Sequence, residues 1–109
     1  MAELTLQQIF GANATQDATT LTIHKADLLR LTASSTNTGE SLLTGILITA
    51  QPALSKTNFD SNIDQSIYVE SSFSSFAFRG TNNDSYRIDP LTVSLAKLDT
   101  SSIIDPDNY

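Results

Sequence analysis

The sequence of 109 residues predicts an α+β fold, in which short helices of the N-terminal half pack on an antiparallel sheet. Apolar residues recur at helical spacing in the segments 4–10, 25–31 and 40–50. Apolar and polar residues alternate in 19–24 and in a long C-terminal β-hairpin over about 66–98, as they do in half-buried strands. Because the helices precede the hairpin, the pattern is typical of a segregated α+β domain rather than of a parallel sheet.

The first predicted helix, 4–10, begins with a capping box. Thr5 and Gln8 have the required spacing, and Gly11 follows the last apolar residue, where a helix commonly stops. The segment 12–18 is small and polar, so we expect a loop.

A strand and a second short helix are predicted next. The strand 19–24 alternates Leu21 and Ile23 with polar residues, and we expect it to join the sheet of the hairpin. The following segment, 25–31, has the composition and leucine spacing of a short helix.

The third predicted helix, 40–50, has Asn37 in a capping position and Pro52 just beyond its end. Gly45 and several β-branched residues weaken this prediction, and a buried strand is the alternative. The segment 53–65 is predicted to be a connection held on the core by its few apolar residues.

The hairpin register follows from matching apolar residues across the two strands. A five-residue loop over 80–84 would place Phe78 opposite Tyr86 and Phe76 opposite Ile88, all on one face. The same register would continue toward the base of the hairpin, with Phe73 opposite Leu91 and Val69 opposite Leu95.

The alternation changes phase once in each strand, at residues 74–75 and at residues 89–90. The base and the tip of the hairpin therefore present apolar residues to opposite sides, and Pro90 favours a bulge or bend at that level. Either the hairpin bends around one core, or its base packs on the helices while its tip meets another chain. The tip residues Phe76, Phe78, Tyr86 and Ile88 are the candidate interface.

Charge and composition exclude several classes of function. Six basic and twelve acidic residues give a net charge of −6, which argues against nucleic acid as a partner. There is no cysteine, hence no disulfide framework and no thiolate metal site. No catalytic or cofactor-binding motif is present, so we expect a non-enzymatic protein without a cofactor.

One segment has the beginning of a calcium-binding loop. Asp60, Asn62 and Asp64 offer oxygen ligands at alternate positions. Gln65 stands where the loop requires glycine, and Ser71 where it requires a bidentate glutamate, so an Asp/Asn-rich turn is the simpler interpretation. No other metal site is predicted.

The sequence favours a single small domain over 1–109, with 99–109 as an extended C-terminal tail. The start has no signal-peptide pattern and no stretch is long enough to span a membrane, which favours a cytoplasmic or assembly-associated protein.

The predicted function is that of a small acidic structural or interaction protein. It would form a homo-oligomer or dock to a protein partner through the hairpin tip. The alternative is a module that binds a carbohydrate or small ligand, using Phe78, Arg79, Tyr86 and the pair Asn82-Asn83.

Overall fold

The computed structural model describes residues 2–99 and 103–109, and its fold is α+β as predicted. Three short α-helices accompany six strands in the described part of the chain. The strands form three separate two-stranded antiparallel sheets rather than one. The prediction that 19–24 joins the sheet of the hairpin was therefore wrong.

Helix α1 spans Leu6–Phe10, and the predicted capping box is present in both directions. The Gln8 backbone N–H donates to Thr5 Oγ1 at 3.2 Å, and the Thr5 N–H donates to Gln8 Oε1 at 2.7 Å. These two bonds satisfy backbone donors that a helix start leaves without intrahelical partners, which explains why five residues suffice. Gly11 ends the helix.

A small hairpin occupies the region where a loop and a longer strand were predicted. Strand β1 (Thr15–Gln16) pairs with β2 (Leu21–Thr22). Asp17 closes the turn, since its carboxylate accepts from the backbone N–H groups of Thr19 and Thr20, both at 2.8 Å. These bonds hold the pKa of Asp17 below its usual range.

The prediction of a helix over 25–31 was wrong. Only Lys25–Asp27 forms a single 3₁₀ turn, after which the chain turns through Arg30 at a positive φ of 63°. The Asp27 carboxylate accepts from the backbone and side chain of Asn13, at 2.9 and 3.1 Å. Leu28 nevertheless becomes buried, because the turn directs it onto the next helix.

Helix α2 spans Gly39–Ala50, so the helical prediction for 40–50 is confirmed over the buried-strand alternative. Its cap is Thr38, whose hydroxyl accepts from the Ser41 N–H, and not Asn37. Gly45 lies inside this helix because Leu28 packs against it: a Cβ there would lie 3.3 Å from the Leu28 side chain.

The segment 53–65 contains a helix that was not predicted. Helix α3 spans Lys56–Ser61 and begins at Ser55, whose hydroxyl accepts from the Asn58 N–H at 3.1 Å. Phe59 of this helix packs on Tyr68 with ring centroids 4.7 Å apart, and the Lys56 ammonium lies 5.2 Å from the Tyr68 centroid.

The predicted long hairpin consists of two consecutive two-stranded sheets. At its base, β3 (Ile67–Ser71) pairs with β6 (Leu91–Leu95), and at its tip β4 (Ser75–Arg79) pairs with β5 (Asp84–Ile88). The strand pairing stops between the two sheets, at residues 72–74 on one strand and 89–90 on the other. The bend predicted at this level is confirmed.

The core lies between the helices and the base of the hairpin, and it is small. Ala50, Leu54 and Val69 form the buried cluster, and Leu4, Ile9, Ile67 and Leu91 pack around it half-buried. The Val69 N–H donates to the Leu54 carbonyl at 2.8 Å, which fixes β3 against the segment between α2 and α3. No large side chain among the described residues is fully buried.

Candidate functional site

The tip of the hairpin projects from the rest of the chain as a two-stranded ribbon, residues 75–88. All of its residues are exposed except Ala77, which is half-buried. No helix or strand in the described part of the chain makes substantial contact with β4 or β5 other than the two strands with each other. We call the described residues outside the ribbon the body.

The strand register at the tip differs from the predicted register by one residue. Arg79 pairs with Asp84, so the loop has four residues, 80–83, instead of five. Phe78 then lies opposite Ser85 and Phe76 opposite Arg87. Gly80, with φ 84°, and Asn83, with φ 54°, supply the left-handed conformations that this short loop needs.

This shift divides the four candidate interface residues between two faces of the ribbon. Phe76 and Phe78 lie on one face, 70% and 75% exposed. Tyr86 and Ile88 lie on the other, both 45% exposed. The prediction that all four share one face was wrong. Burial of an apolar face normally selects the strand register, and neither face of the ribbon is buried.

At the base the register also differs, but by two residues. Val69 lies opposite Val93 and Ser71 opposite Leu91, not Val69 opposite Leu95 and Phe73 opposite Leu91 as predicted. A shift of two keeps every side chain on its predicted face. Phe73 falls in the bend, where it is 97% exposed.

The bend has three residues on one strand, 72–74, opposite two on the other, 89–90. Ser74 Oγ donates a hydrogen bond to the Asp89 carboxylate, and Arg87 Nε donates to the same oxygen at 2.8 Å. Arg87 Nη2 also donates to Ser74 Oγ at 3.0 Å. These contacts, chiefly the Ser74 bond and then Arg87, hold the pKa of Asp89 below its usual range.

The predicted ligand-binding set is not assembled on one face. The Arg79 guanidinium lies 5.0 Å from the centre of the Tyr86 ring and so covers the surface on which a sugar would stack. Phe78 lies on the opposite face of the ribbon.

Two of the three calcium candidates, Asp60 and Asn62, already have side-chain oxygens engaged in bonds within the chain. Asp60 lies in α3 and accepts from Lys56 Nζ at 2.5 Å. Asn62 Oδ1 accepts from the Asp64 N–H at 3.1 Å, as in an Asp/Asn-rich turn. Among the described residues, no three His, Cys, Asp or Glu side chains cluster as a metal site would require.

A second feature, not predicted from the sequence, is an apolar groove that continues the core to the surface. It has a volume of about 470 Å³. Its apolar walls, which we use to define the groove, are Leu4, Ile9, Leu54, Ile67, Leu95, Ile104, Pro106 and Tyr109. The 3₁₀ turn Pro106–Asn108 helps to form its rim, so the predicted extended tail is partly folded; residues 100–102 of that tail lie outside the described residues.

Gln65 lies in the wall of this groove and is buried. Its Nε2 donates to the Ile67 carbonyl at 2.8 Å and to the Ser55 carbonyl at 3.2 Å. Its Oε1 is buried without a hydrogen-bond partner among the described residues. Gln65 thereby ties α3 to β3 beside the opening in the core.

Comparisons with protein families, with curated proteins and with solved structures find no match. In the described part of the chain, no helix has the length and apolar character needed to cross a membrane.

Proposed function

We propose that this chain is a non-enzymatic structural subunit that self-associates through the ribbon. The observation that carries the proposal is the exposure of two phenylalanines, Phe76 and Phe78, on a ribbon that no other element supports. An isolated two-stranded hairpin is marginally stable in water, and clustered exposed aromatic residues mark interaction sites. A partner surface would supply the missing support.

The surface of the whole chain supports the same proposal. The chain exposes 8180 Å², whereas a folded monomer of 11.8 kDa is expected to expose about 5,900 Å². Its radius of gyration is 16.5 Å, against about 13 Å for a domain of this length. A standard interface covers about 800 Å² per partner, so the excess of roughly 2,300 Å² is enough for more than one interface.

Both edges of the ribbon also lack strand partners in the described part of the chain. Since β4 and β5 form a sheet of two, each has one row of unpaired backbone groups. Such edges add strands readily unless charge, proline or a covering segment prevents it. The ribbon has no proline, and its charged residues are only Arg79, Asp84 and Arg87.

The experiment is light scattering after size exclusion on the wild type and on the double variant Phe76→Asp/Phe78→Asp. We expect the wild type to elute as a multimer and the variant at the monomer mass of 11.8 kDa, with the helical part of the far-UV spectrum unchanged. The helical signal should not change because both side chains are mostly exposed and lie outside the helices.

The control is Leu43→Asp, which places one aspartate on an exposed apolar residue of α2, outside the ribbon and the groove. This control should remain a multimer. A wild type that stays monomeric at every concentration, or a double variant that still associates, would refute self-association through the ribbon.

A further inference from the structure

We infer that the subunits associate head to tail, with the ribbon of one copy seated in the groove of the next. This inference rests on the proposed self-association and adds what the ribbon binds. The occupant of the groove is the face of a second copy's ribbon that carries Phe76 and Phe78.

The groove is the opening through which the core reaches solvent. Leu4, Ile9 and Ile67 pack against the buried cluster and also line the groove, while Leu54 belongs to both. An apolar group placed there would extend the existing core rather than cover a flat surface. A cavity of about 470 Å³ falls in the range that takes up drug-sized ligands, so it has room for aromatic side chains.

The ribbon offers side chains of that kind. Phe76 and Phe78 share one face and are exposed in the lone chain. Each would remove roughly 150–250 Å² from water if fully buried, and aromatic anchors set in pockets dominate the energetics of protein interfaces.

Charge complementarity favours the same occupant. The ribbon carries Arg79 and Arg87 against Asp84, a net charge of +1, so the rest of the chain has a net charge of −7. The groove itself includes Glu3 in its lining, and Asp105 and Asp107 flank the Pro106 that forms part of its rim. Asp89 beside the ribbon pairs with Arg87, so the hairpin tip has no net negative charge, whereas the rest of the chain is strongly acidic. Of the surfaces of a second copy, the aromatic ribbon therefore suits this groove better than the acidic body does.

The surface that remains exposed is sufficient for this arrangement. A head-to-tail contact uses two different patches on every subunit, each of about 800 Å² in a standard interface, and the excess surface of roughly 2,300 Å² accommodates both. Such a contact closes into a ring or continues as an open chain, whereas a contact between identical patches stops at a dimer.

The test mixes two variants that each lack one patch. The ribbon variant is Phe76→Asp/Phe78→Asp and the groove variant is Leu95→Asp. Each should be monomeric alone, because each has lost one of the two patches. Mixed in equal amounts they should form a dimer of twice 11.8 kDa, because the intact groove of one variant still accepts the intact ribbon of the other.

A second groove variant is needed in case Leu95→Asp unfolds the protein. Leu95 lies in β6, but Ile104 lies outside the strands and is 70% exposed, so Ile104→Asp should leave the far-UV spectrum unchanged. If Leu95→Asp proves unfolded, the ribbon variant is mixed with Ile104→Asp instead, and the presence or absence of a dimer tests the head-to-tail contact. Leu43→Asp is the control and should assemble as the wild type does.

The possible outcomes separate the two proposals. A groove variant that remains multimeric while the ribbon variant is monomeric would refute the head-to-tail contact and leave ribbon-mediated association standing. Two monomeric variants whose mixture contains no dimer would refute the head-to-tail contact as well. A monomeric wild type would refute both proposals.

Discussion

Asp89 is the residue that holds the bend from which the ribbon leaves the body. Its carboxylate accepts from Ser74 Oγ on the opposite side of the hairpin and from Arg87 Nε on its own side. The interaction is exposed, so its contribution to the stability of the whole protein is small. Its effect is on the direction of the ribbon, which the bond from Arg87 Nη2 to Ser74 Oγ also helps to fix at that level.

The pH dependence of the bend follows from the lowered pKa of Asp89. A carboxylate with a depressed folded-state pKa stabilises the fold above its unfolded value of 3.8 and loses that contribution as the pH falls through the lower folded value. We therefore expect the Asp89 carboxyl carbon to titrate below pH 3.8 in an NMR titration of the ribbon-impaired monomer.

Two comparisons check this prediction. Ser74→Ala should raise the Asp89 midpoint toward 3.8, because the Ser74 bond is the main cause of the lowered pKa. Asp89→Asn should remove any change in the cross-strand contacts of the bend between pH 5 and pH 3. An Asp89 midpoint at or above 3.8 would contradict the bonding described here.

At the scale of elements, the sequence predicted best where local signals are strong. The capping box at Thr5 and Gln8 was predicted and is present at the start of α1. The apolar stripe over 40–50 predicted α2, which packs on the core. The bend between the two halves of the hairpin could be predicted because the alternation of apolar and polar residues changes phase there. Each of these depends on residues within a few positions of one another.

The errors occur where neighbours distant in sequence decide the conformation. The segment 25–31 has leucines at helical spacing, but Asp27 binds Asn13 and the chain turns at Arg30. Helix α3 has a serine cap at Ser55 that could have been noticed, yet its interior is mostly polar and gives little periodicity. The groove could not be predicted, because residues near both ends of the chain form it.

The four-residue loop of the ribbon gives a prediction at this scale. Gly80 has φ 84°, a conformation that costs an L-residue about 1 kcal/mol, or roughly a five-fold shift in the folding equilibrium. Because an isolated ribbon is marginally stable, Gly80→Ala should lower the population of paired strands in the monomeric ribbon variant.

The measurement is the intensity of cross-strand NOEs between β4 and β5 in that monomeric background. Thr81→Ala changes the neighbouring loop residue, which has no positive φ, and should leave the NOEs unchanged. Equal intensities in both variants would show that the loop conformation does not limit the stability of the ribbon.

At the scale of the whole molecule, the small core and the large exposed surface mean that folding and the proposed association would be linked. Among the described residues, the buried cluster contains only Ala50, Leu54 and Val69, and it opens into the groove. If a second copy fills that opening, the native state binds what the unfolded chain cannot, and its stability rises with concentration.

We therefore expect the melting temperature to rise by roughly 5 °C for each tenfold increase in protein concentration. Differential scanning fluorimetry over a hundred-fold range of concentration measures this directly. The ribbon variant Phe76→Asp/Phe78→Asp should melt at one temperature throughout that range. A wild-type melting temperature that does not depend on concentration would contradict linked folding and association.

The bend also sets how the ribbon continues the strands of the body. It has three residues on one strand, 72–74, opposite two on the other, 89–90. The loss of a single codon within 72–74 would equalise the two sides and bring β4 and β5 into one continuous register with β3 and β6. Neither Phe76 nor Phe78 would change, but the inequality that interrupts the strand pairing would be gone. One residue in an exposed segment thus separates a bent hairpin from an uninterrupted one.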